Sequence, residues 1–519
     1  MLKTKIADCL KEVIKESTPI EIFVPENEKF GHYSTNAALR LAKILKRNPM
    51  EIANGINEKL RIKNSELFSK IEVAAPGFIN FWLSEKILQN EIREILKKKE
   101  KYGSFKSGKN KKINIEFISA NPVGPLTIGN GRGGFCGDVL ANVLEKAGYE
   151  VAREYYINDT GEQIKRLGHS VLGDEQAVYS GDYIEKLREE ITEKNPAKAG
   201  EEAAKIILEE MIKPTVEKMG IKFNKWFSEK SLYKSKAVEK TIEELGKKNL
   251  IYKKEGAVWF KSTKFGDDKD RVLIKTDGEK TYFASDIAYL KNKFKRNFGK
   301  LIIFLGADHY GYIGRMKAAA EALGYKKENL AFVIIQLVRL LKEGKEVRMS
   351  KRTGSYITIN ELIDEVGLDA ARFFFLMSSP ETHMDFDLDL AKEQSLKNPV
   401  YYVQYAAVRC GGILNRSKAT SDKRQVNLEL LNTPADINLT RMLARFPETV
   451  EAAALNYNLQ ALVRFALDLS REFNNFYEKE KIIGEKQDLM AARLELIKAT
   501  RIVFKTLFNL LGISLPEKM

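Results

Sequence analysis

The chain has 519 residues, 44% of them hydrophobic and 30% charged, enough to build several packed domains. No apolar run approaches the roughly 18 residues of a membrane span, and residues 1–16 are mixed in charge without a secretory pattern, so the expected setting is the cytoplasm with no membrane partner. The formal net charge of +15 points to a polyanion, nucleic acid before membrane, although a lysine-rich background explains it equally well; Cys9, Cys136 and Cys410 are scattered and histidines number only four, which speaks against disulfides, a zinc ribbon or a His-rich metal site.

The first block runs to about Leu96. It alternates helix-like segments, such as residues 33–45, with a short β-like piece at 71–83 that carries Pro76-Gly77. Residues 97–112 are lysine-rich, include Gly103 and Gly108, and read as a linker. The second block, 113–368, has α/β order. Residues 113–118 alternate as a strand, 121–125 are turn-like, 129–146 read as a helix and 151–157 as a second strand. Strand, turn, helix, strand is a βαβ unit, which implies a parallel sheet with ligands at the carboxyl ends of its strands. Residues 301–305 and 332–338 are further strand candidates, and a polar stretch with helical patterning, about 169–276, predicts an excursion from the sheet. From 369 to 519 the pattern is nearly all helical: Leu459, Leu462, Val463, Ala466, Phe473 and Phe476 recur on one helix face, and the last helix stops at Gly512.

Two short segments carry chemistry. Thr127-Ile128-Gly129-Asn130 follows the first strand and opens a helix, whose free N–H groups and dipole suit phosphate. Gly129 leaves room for a flat base, and Thr127 and Asn130 can donate to phosphate oxygens; an ordinary helix cap is an equally good reading of these residues alone. The second is Arg348-Met349-Ser350-Lys351-Arg352-Thr353-Gly354, a basic loop able to bring Lys351 to a pyrophosphate. Most such loops are merely solvated. What favours function is their order, one after the first strand of the βαβ unit and the other after its last strand candidate.

Together they resemble the H-I-G-H and K-M-S-K-S hallmarks of class I aminoacyl-tRNA synthetases. The wider sequence resembles arginyl-tRNA synthetases in particular: Ser119-Ala120-Asn121-Pro122-Val123-Gly124-Pro125-Leu126, Arg153-Glu154-Tyr155-Tyr156-Ile157-Asn158-Asp159, Gly306-Ala307-Asp308-His309-Tyr310-Gly311-Tyr312, and Asn398-Pro399-Val400-Tyr401-Tyr402-Val403-Gln404-Tyr405. Tyr33-Ser34-Thr35-Asn36 and Pro76-Gly77-Phe78-Ile79-Asn80 resemble that family's added N-terminal domain, so the likeness spans nearly the whole chain. It departs at Thr127 and Asn130, where both histidines of the first motif are replaced by neutral donors; tryptophanyl enzymes of the class can carry the same T-I-G-N.

The resemblance implies an α/β fold: a Rossmann-like parallel-sheet catalytic domain, an N-terminal α+β domain that contacts tRNA, and a C-terminal all-helical anticodon-binding domain. It implies an arginine–tRNA ligase, needing no protein nucleophile, that forms arginyl-adenylate from L-arginine and ATP and transfers it to tRNA(Arg). Catalysis falls to Thr127, Asn130 and Lys351, and ATP binding to these with Gly129, Ser350 and Arg352. Arginine binding falls to Ser119, Ala120, Asn121, Asn130, Tyr282, Asp286 and His309. The anticodon contact falls to Tyr402, Tyr405, Arg409, Tyr477 and Met519. Mg²⁺ is expected with ATP, no tightly held protein metal, and a monomer. The rival reading is a non-catalytic tRNA-binding relative, whose support is the two missing histidines.

Overall fold

The structure, a computed structural model, describes residues 1–16, 18–63, 66–347, 357–417 and 426–519. At the N-terminus four antiparallel strands, β1 (Ile22–Phe23), β2 (Tyr33–Thr35), β3 (Phe68–Ala74) and β4 (Phe78–Leu83), pair in the order β1-β2-β4-β3. The single β-like piece read from sequence is therefore a hairpin, turning at Pro76-Gly77 as those residue types favour. Helix Leu2–Val13 turns Leu2, Ile6 and Leu10 into this unit's own core.

The expected linker is a packed connection. Helix Glu85–Lys98 runs into a 3-10 turn, Lys99–Lys101, and the buried Tyr102 donates to Glu91 at 3.2 Å. The lysines stay in solvent, while Tyr102 and the close seat of Gly108 on Tyr149 fasten the chain.

The central sheet begins with β5 (Lys112–Glu116), crosses through helix Ile128–Lys146 to β6 (Glu150–Ile157), and continues to β7 (Lys225–Ser228). A three-stranded antiparallel excursion follows: β8 (Ile251–Lys254), β9 (Ala257–Phe260) and β10 (Arg271–Ile274). The chain then returns through helix Tyr282–Lys295 to β11 (Lys300–Gly306) and, through Tyr312–Ala322, to β12 (Leu330–Ile335). All neighbours are parallel, in the order β12-β11-β5-β6-β7. The chain winds outward from β5 in both directions, so the crevice beside β5 is a topological switch point, where open α/β sheets bind ligands.

One expectation is corrected. The stretch at 169–276 is not wholly an excursion, because it contributes edge strand β7; four residues are too few to show alternation. The block from 369 onward is nearly all helical, as its pattern predicts, with one short strand near its start. Met384 and Phe386 are buried on β15 (Met384–Asp387), which pairs in parallel with β13 (Val338–Lys342), itself paired with β14 (Lys345–Glu346). Beyond it the helices Pro399–Ser417, Pro434–Ala444, Phe446–Asn456, Gln460–Lys479 and Gln487–Leu511 share one continuous core with the central sheet. Gly512, at φ 68°, ends the last helix as its sequence predicted.

Candidate active site

Beyond β5 the backbone turns sharply, with Ile118 and Ser119 at φ 64° and 40°. For a β-branched residue this is strained, and strain of this kind gathers at functional loops. Neighbours on β6 hold it: the Tyr156 N–H donates to Ser119 Oγ at 3.0 Å, and Tyr155 Oη donates to the Ala120 carbonyl at 2.8 Å. Asn121 donates to Gln163 on helix Glu162–Leu172. Ser119, Ala120 and Asn121 thus stand at the carboxyl end of the central strand with their backbone fixed from two sides.

Thr127 caps helix Ile128–Lys146. Asn130 Oδ1 accepts from both the Thr127 N–H, at 2.9 Å, and the Thr127 hydroxyl, at 3.0 Å. The hydroxyl proton of Thr127 is therefore taken up by Asn130, and the outward donor of the pair is the Asn130 NH2. Gly129 is exposed, and a Cβ there would meet only the Thr127 hydroxyl, at 3.7 Å. By contrast, a Cβ on Gly131 or Gly137 would lie 2.4 Å from Ile359 and 2.3 Å from Phe117, so these glycines serve packing.

The basic motif, with Ser350, Lys351 and Arg352, lies outside the described residues. Its carboxyl flank is described: Thr358 forms a β-bridge with Thr127, and the Ile359 N–H donates to the Leu126 carbonyl at 3.0 Å. The segment that follows the second motif therefore meets the start of the first, Thr358 against Thr127.

Tyr282 and Asp286 sit one turn apart on helix Tyr282–Lys295. Tyr282 is half exposed, and its phenol oxygen lies beside Gly161, accepting from the N–H groups of Glu162 and Gln163. Asp286 has the Tyr312 hydroxyl as its hydrogen-bond partner. Its carboxyl is pushed up to about 7, chiefly by burial, with the nearby Glu229 and Glu116 charges adding to the effect against the Tyr312 hydrogen bond and Arg315.

Glu229 is the residue that sequence reasoning missed. It follows β7 directly, is 1% exposed, and has its carboxyl raised, first by burial and then by Asp159. The hydroxyls of Ser285, Tyr156 and Tyr233 face it, and the Asn158 amide, oriented with its NH2 toward it, donates to Oε2 at 2.8 Å; among the described residues Oε1 has no hydrogen-bond partner. An acid at the carboxyl end of a parallel strand is the available signal, hidden because β7 itself was not recognised. Among the described residues neither Asp286 nor Glu229 makes a salt bridge. The buried Glu229 and the half-buried Asp286, rimmed by phenols and each held back from ionising, make an arrangement able to receive a planar cation. His309 stands on a 3-10 turn at the end of β11, 59% exposed, with its imidazole 3.5 Å from Asp308; no hydrogen bond draws it into the acidic pocket.

On helix Pro399–Ser417, the Arg409 guanidinium lies 4.7 Å from the ring centres of both Tyr405 and Tyr477, and donates to Asn474 at 3.0 Å. Tyr401 stacks on Tyr405 at 6.3 Å and extends the ladder. Tyr402 instead packs against the core, and Met519 is exposed at the chain end without a ring contact to this cluster.

Three family profiles cover the chain: the arginyl-tRNA synthetase N-terminal domain over residues 1–83, the class I (R) tRNA synthetase catalytic domain over 91–177 and 182–374, and the DALR anticodon-binding domain over 403–519. An arginine–tRNA ligase of Carboxydothermus hydrogenoformans is 43% identical over 97% of this chain and 95% of its own. One from Bacillus licheniformis is 42% identical over 99% of each. The solved arginyl-tRNA synthetase of Thermus thermophilus, 20% identical, superposes over the full length of both chains with a TM-score of 0.82, a likeness of fold.

Proposed function

The chain belongs to the arginyl-tRNA synthetase family, and from that premise we propose how its residues divide the work of a class I arginine–tRNA ligase. The observation that carries the reading is a pair of acids, Asp286 and Glu229, that make no salt bridge among the described residues. They take the guanidinium, with Tyr282 against it. Ser119, Ala120, Asn121 and His309 line the side toward the carboxylate of arginine. That carboxylate attacks the α-phosphorus of ATP, and pyrophosphate leaves. A ribose hydroxyl of the terminal tRNA adenosine then attacks the adenylate carbonyl, and AMP leaves.

Neither step needs a protein nucleophile, so catalysis rests on position and on donors aimed at phosphate charge. The Asn130 NH2 and Lys351 supply them, Thr127 orients Asn130, Gly129 admits the base, and Ser350 and Arg352 support the Lys351 loop. Mg²⁺ is taken to arrive on ATP, where it would neutralise phosphate charge; among the described residues no group of three or more His, Cys, Asp or Glu side chains is placed to hold a metal. We take the protein to act as a monomer in the cytoplasm; no described helix is long and apolar enough to cross a membrane. We assign residues 1–96 to a tRNA contact, 113–368 to catalysis and 369–519 to the anticodon.

Arginine-dependent ATP–pyrophosphate exchange, with and without tRNA, tests the whole reading. Exchange is expected; its absence in a protein that still binds tRNA would return the non-catalytic alternative. The acidic pocket argues against that alternative, since an inert relative has no use for two buried acids in want of a cation.

The acid pocket also sets a pH dependence. Arginine must meet an ionised Asp286, whose free-state value is near 7. Lowering the pH protonates it, so KM for arginine should rise about tenfold per unit below pH 7. Arginine binding at pH 7 should release protons, seen as buffer-dependent heats in titration calorimetry.

In the anticodon cluster, Arg409→Ala removes the guanidinium between two tyrosines. KM for tRNA should rise about tenfold, the loss of a stacking and cation–π contact, while tRNA-independent adenosine-site properties such as ATP binding stay unchanged. An unaltered KM for tRNA would remove this face from the interface.

A further inference from the structure

Helix Tyr282–Lys295 carries one polar stripe toward the sheet. Tyr282 and Asp286 open it at the pocket, and Tyr289, Lys293 and the following Arg296 continue it downward. Beneath the pocket these cations meet two acids that are register partners on adjacent strands, Glu116 on β5 and Glu154 on β6. Arg296 holds Glu154 at 2.6 and 2.8 Å, helped by Tyr289 Oη at 2.6 Å. Lys293, whose side chain is fully buried, holds Glu116, with its ammonium 4.4 Å from the centre of the Tyr289 ring. The lower layer is thus two acids against two cations. In the upper layer neither Asp286 nor Glu229 makes a salt bridge among the described residues, with Arg315 acting on Asp286 only from a distance.

Glu116 is the member of the lower layer that faces the pocket: its charge acts on Asp286, Tyr312 and Tyr156. We propose that Lys293 is a positioning residue for arginine selection, cancelling the Glu116 charge beneath the pocket so that two acids, rather than three, remain to be satisfied by one guanidinium. The proposal rests on the assignment of Asp286 and Glu229 to arginine. A third uncancelled acid would force the group to hold an additional proton, which a monocation would have to expel on binding. Other groups facing Asp286 are Glu229, Arg315, Tyr312, Tyr156, Tyr233 and Tyr282, and all are left in place by the variants below.

The test is the pH profile of KM for arginine, with proton release on arginine binding, in four proteins. Lys293→Met should move the midpoint of the profile up by about one unit and increase the protons released at pH 7. Glu116→Gln, which leaves an extra positive charge, should move it down and raise KM at every pH. The Glu116→Gln/Lys293→Met double variant removes both charges and should return the midpoint to that of the wild type. Opposite shifts that cancel are an electrostatic signature which loosened packing does not produce. Should either single variant fail to fold, the other and the double still decide. Shifts of the same sign, or a double variant that stays displaced, would overturn the role of Lys293. A wild-type profile with no inflection near pH 7 would instead overturn the arginine pocket itself.

Discussion

Asp286→Asn should leave a folded protein that has all but lost arginine activation. The substitution keeps size and a hydrogen-bonding oxygen but removes one of the two charges that face the guanidinium. A buried charge stripped of its partner costs several kcal/mol, so kcat/KM for arginine in pyrophosphate exchange should fall about a thousandfold or more. Stability should move the other way. The folded-state value of Asp286, about 7, lies above the model-peptide value near 3.8. A raised acid contributes stability below its unfolded value and loses it as pH rises through the folded value. At pH 8 the free protein therefore carries the cost of an ionised, half-buried acid, and asparagine relieves it. The variant should melt no lower than the wild type at pH 8 and lose the upward shift that arginine gives. Glu229→Gln should show the same pattern. An Asp286→Asn enzyme with unchanged KM for arginine would remove this pocket from the mechanism.

The contrast between these two acids shows what the sequence could reveal. Tyr282 and Asp286 were legible through the family resemblance, because a tyrosine and an aspartate four residues apart on a helix share one face whatever the tertiary fold. Glu229 was not, because its position depends on β7, a four-residue strand whose neighbours are known only once the sheet is assembled. The same holds at β15, whose pairing with β13 spans a helical region of sequence. The long elements, helix Ile128–Lys146 and the strands β5, β6 and β11, announced themselves by periodicity over many residues and by the turn residues that bound them. At the first motif the residue types were legible but their division of labour was not. Only the hydrogen bond from Thr127 to Asn130 shows which of the two keeps a free donor.

That hydrogen bond sets the second large effect. Asn130→Ala should lower kcat for adenylate formation about a hundredfold, the typical cost of deleting one preorganised donor to developing charge, with little change in KM for arginine. Thr127→Val should cost less, about tenfold, because threonine acts by fixing the Asn130 amide rather than by touching phosphate. The two effects should be strongly non-additive, since Asn130→Ala already removes what Thr127 orients. pH separates this pair from the acidic pocket. A hydroxyl and an amide do not titrate near neutrality, so kcat of the wild type should be flat from about pH 6 to 9 while KM for arginine changes steeply below 7. The Thr127→His/Asn130→His variant would introduce imidazoles at the same place, and its kcat should acquire an inflection near about 6.5. If kcat of the wild type already showed that inflection, a group other than Thr127 and Asn130 would be carrying the phosphate charge. A flat kcat with full exchange activity would mean that the helix start needs only neutral, fixed donors, because the charge on the phosphates is met by Lys351 and by the helix dipole rather than by the capping side chains.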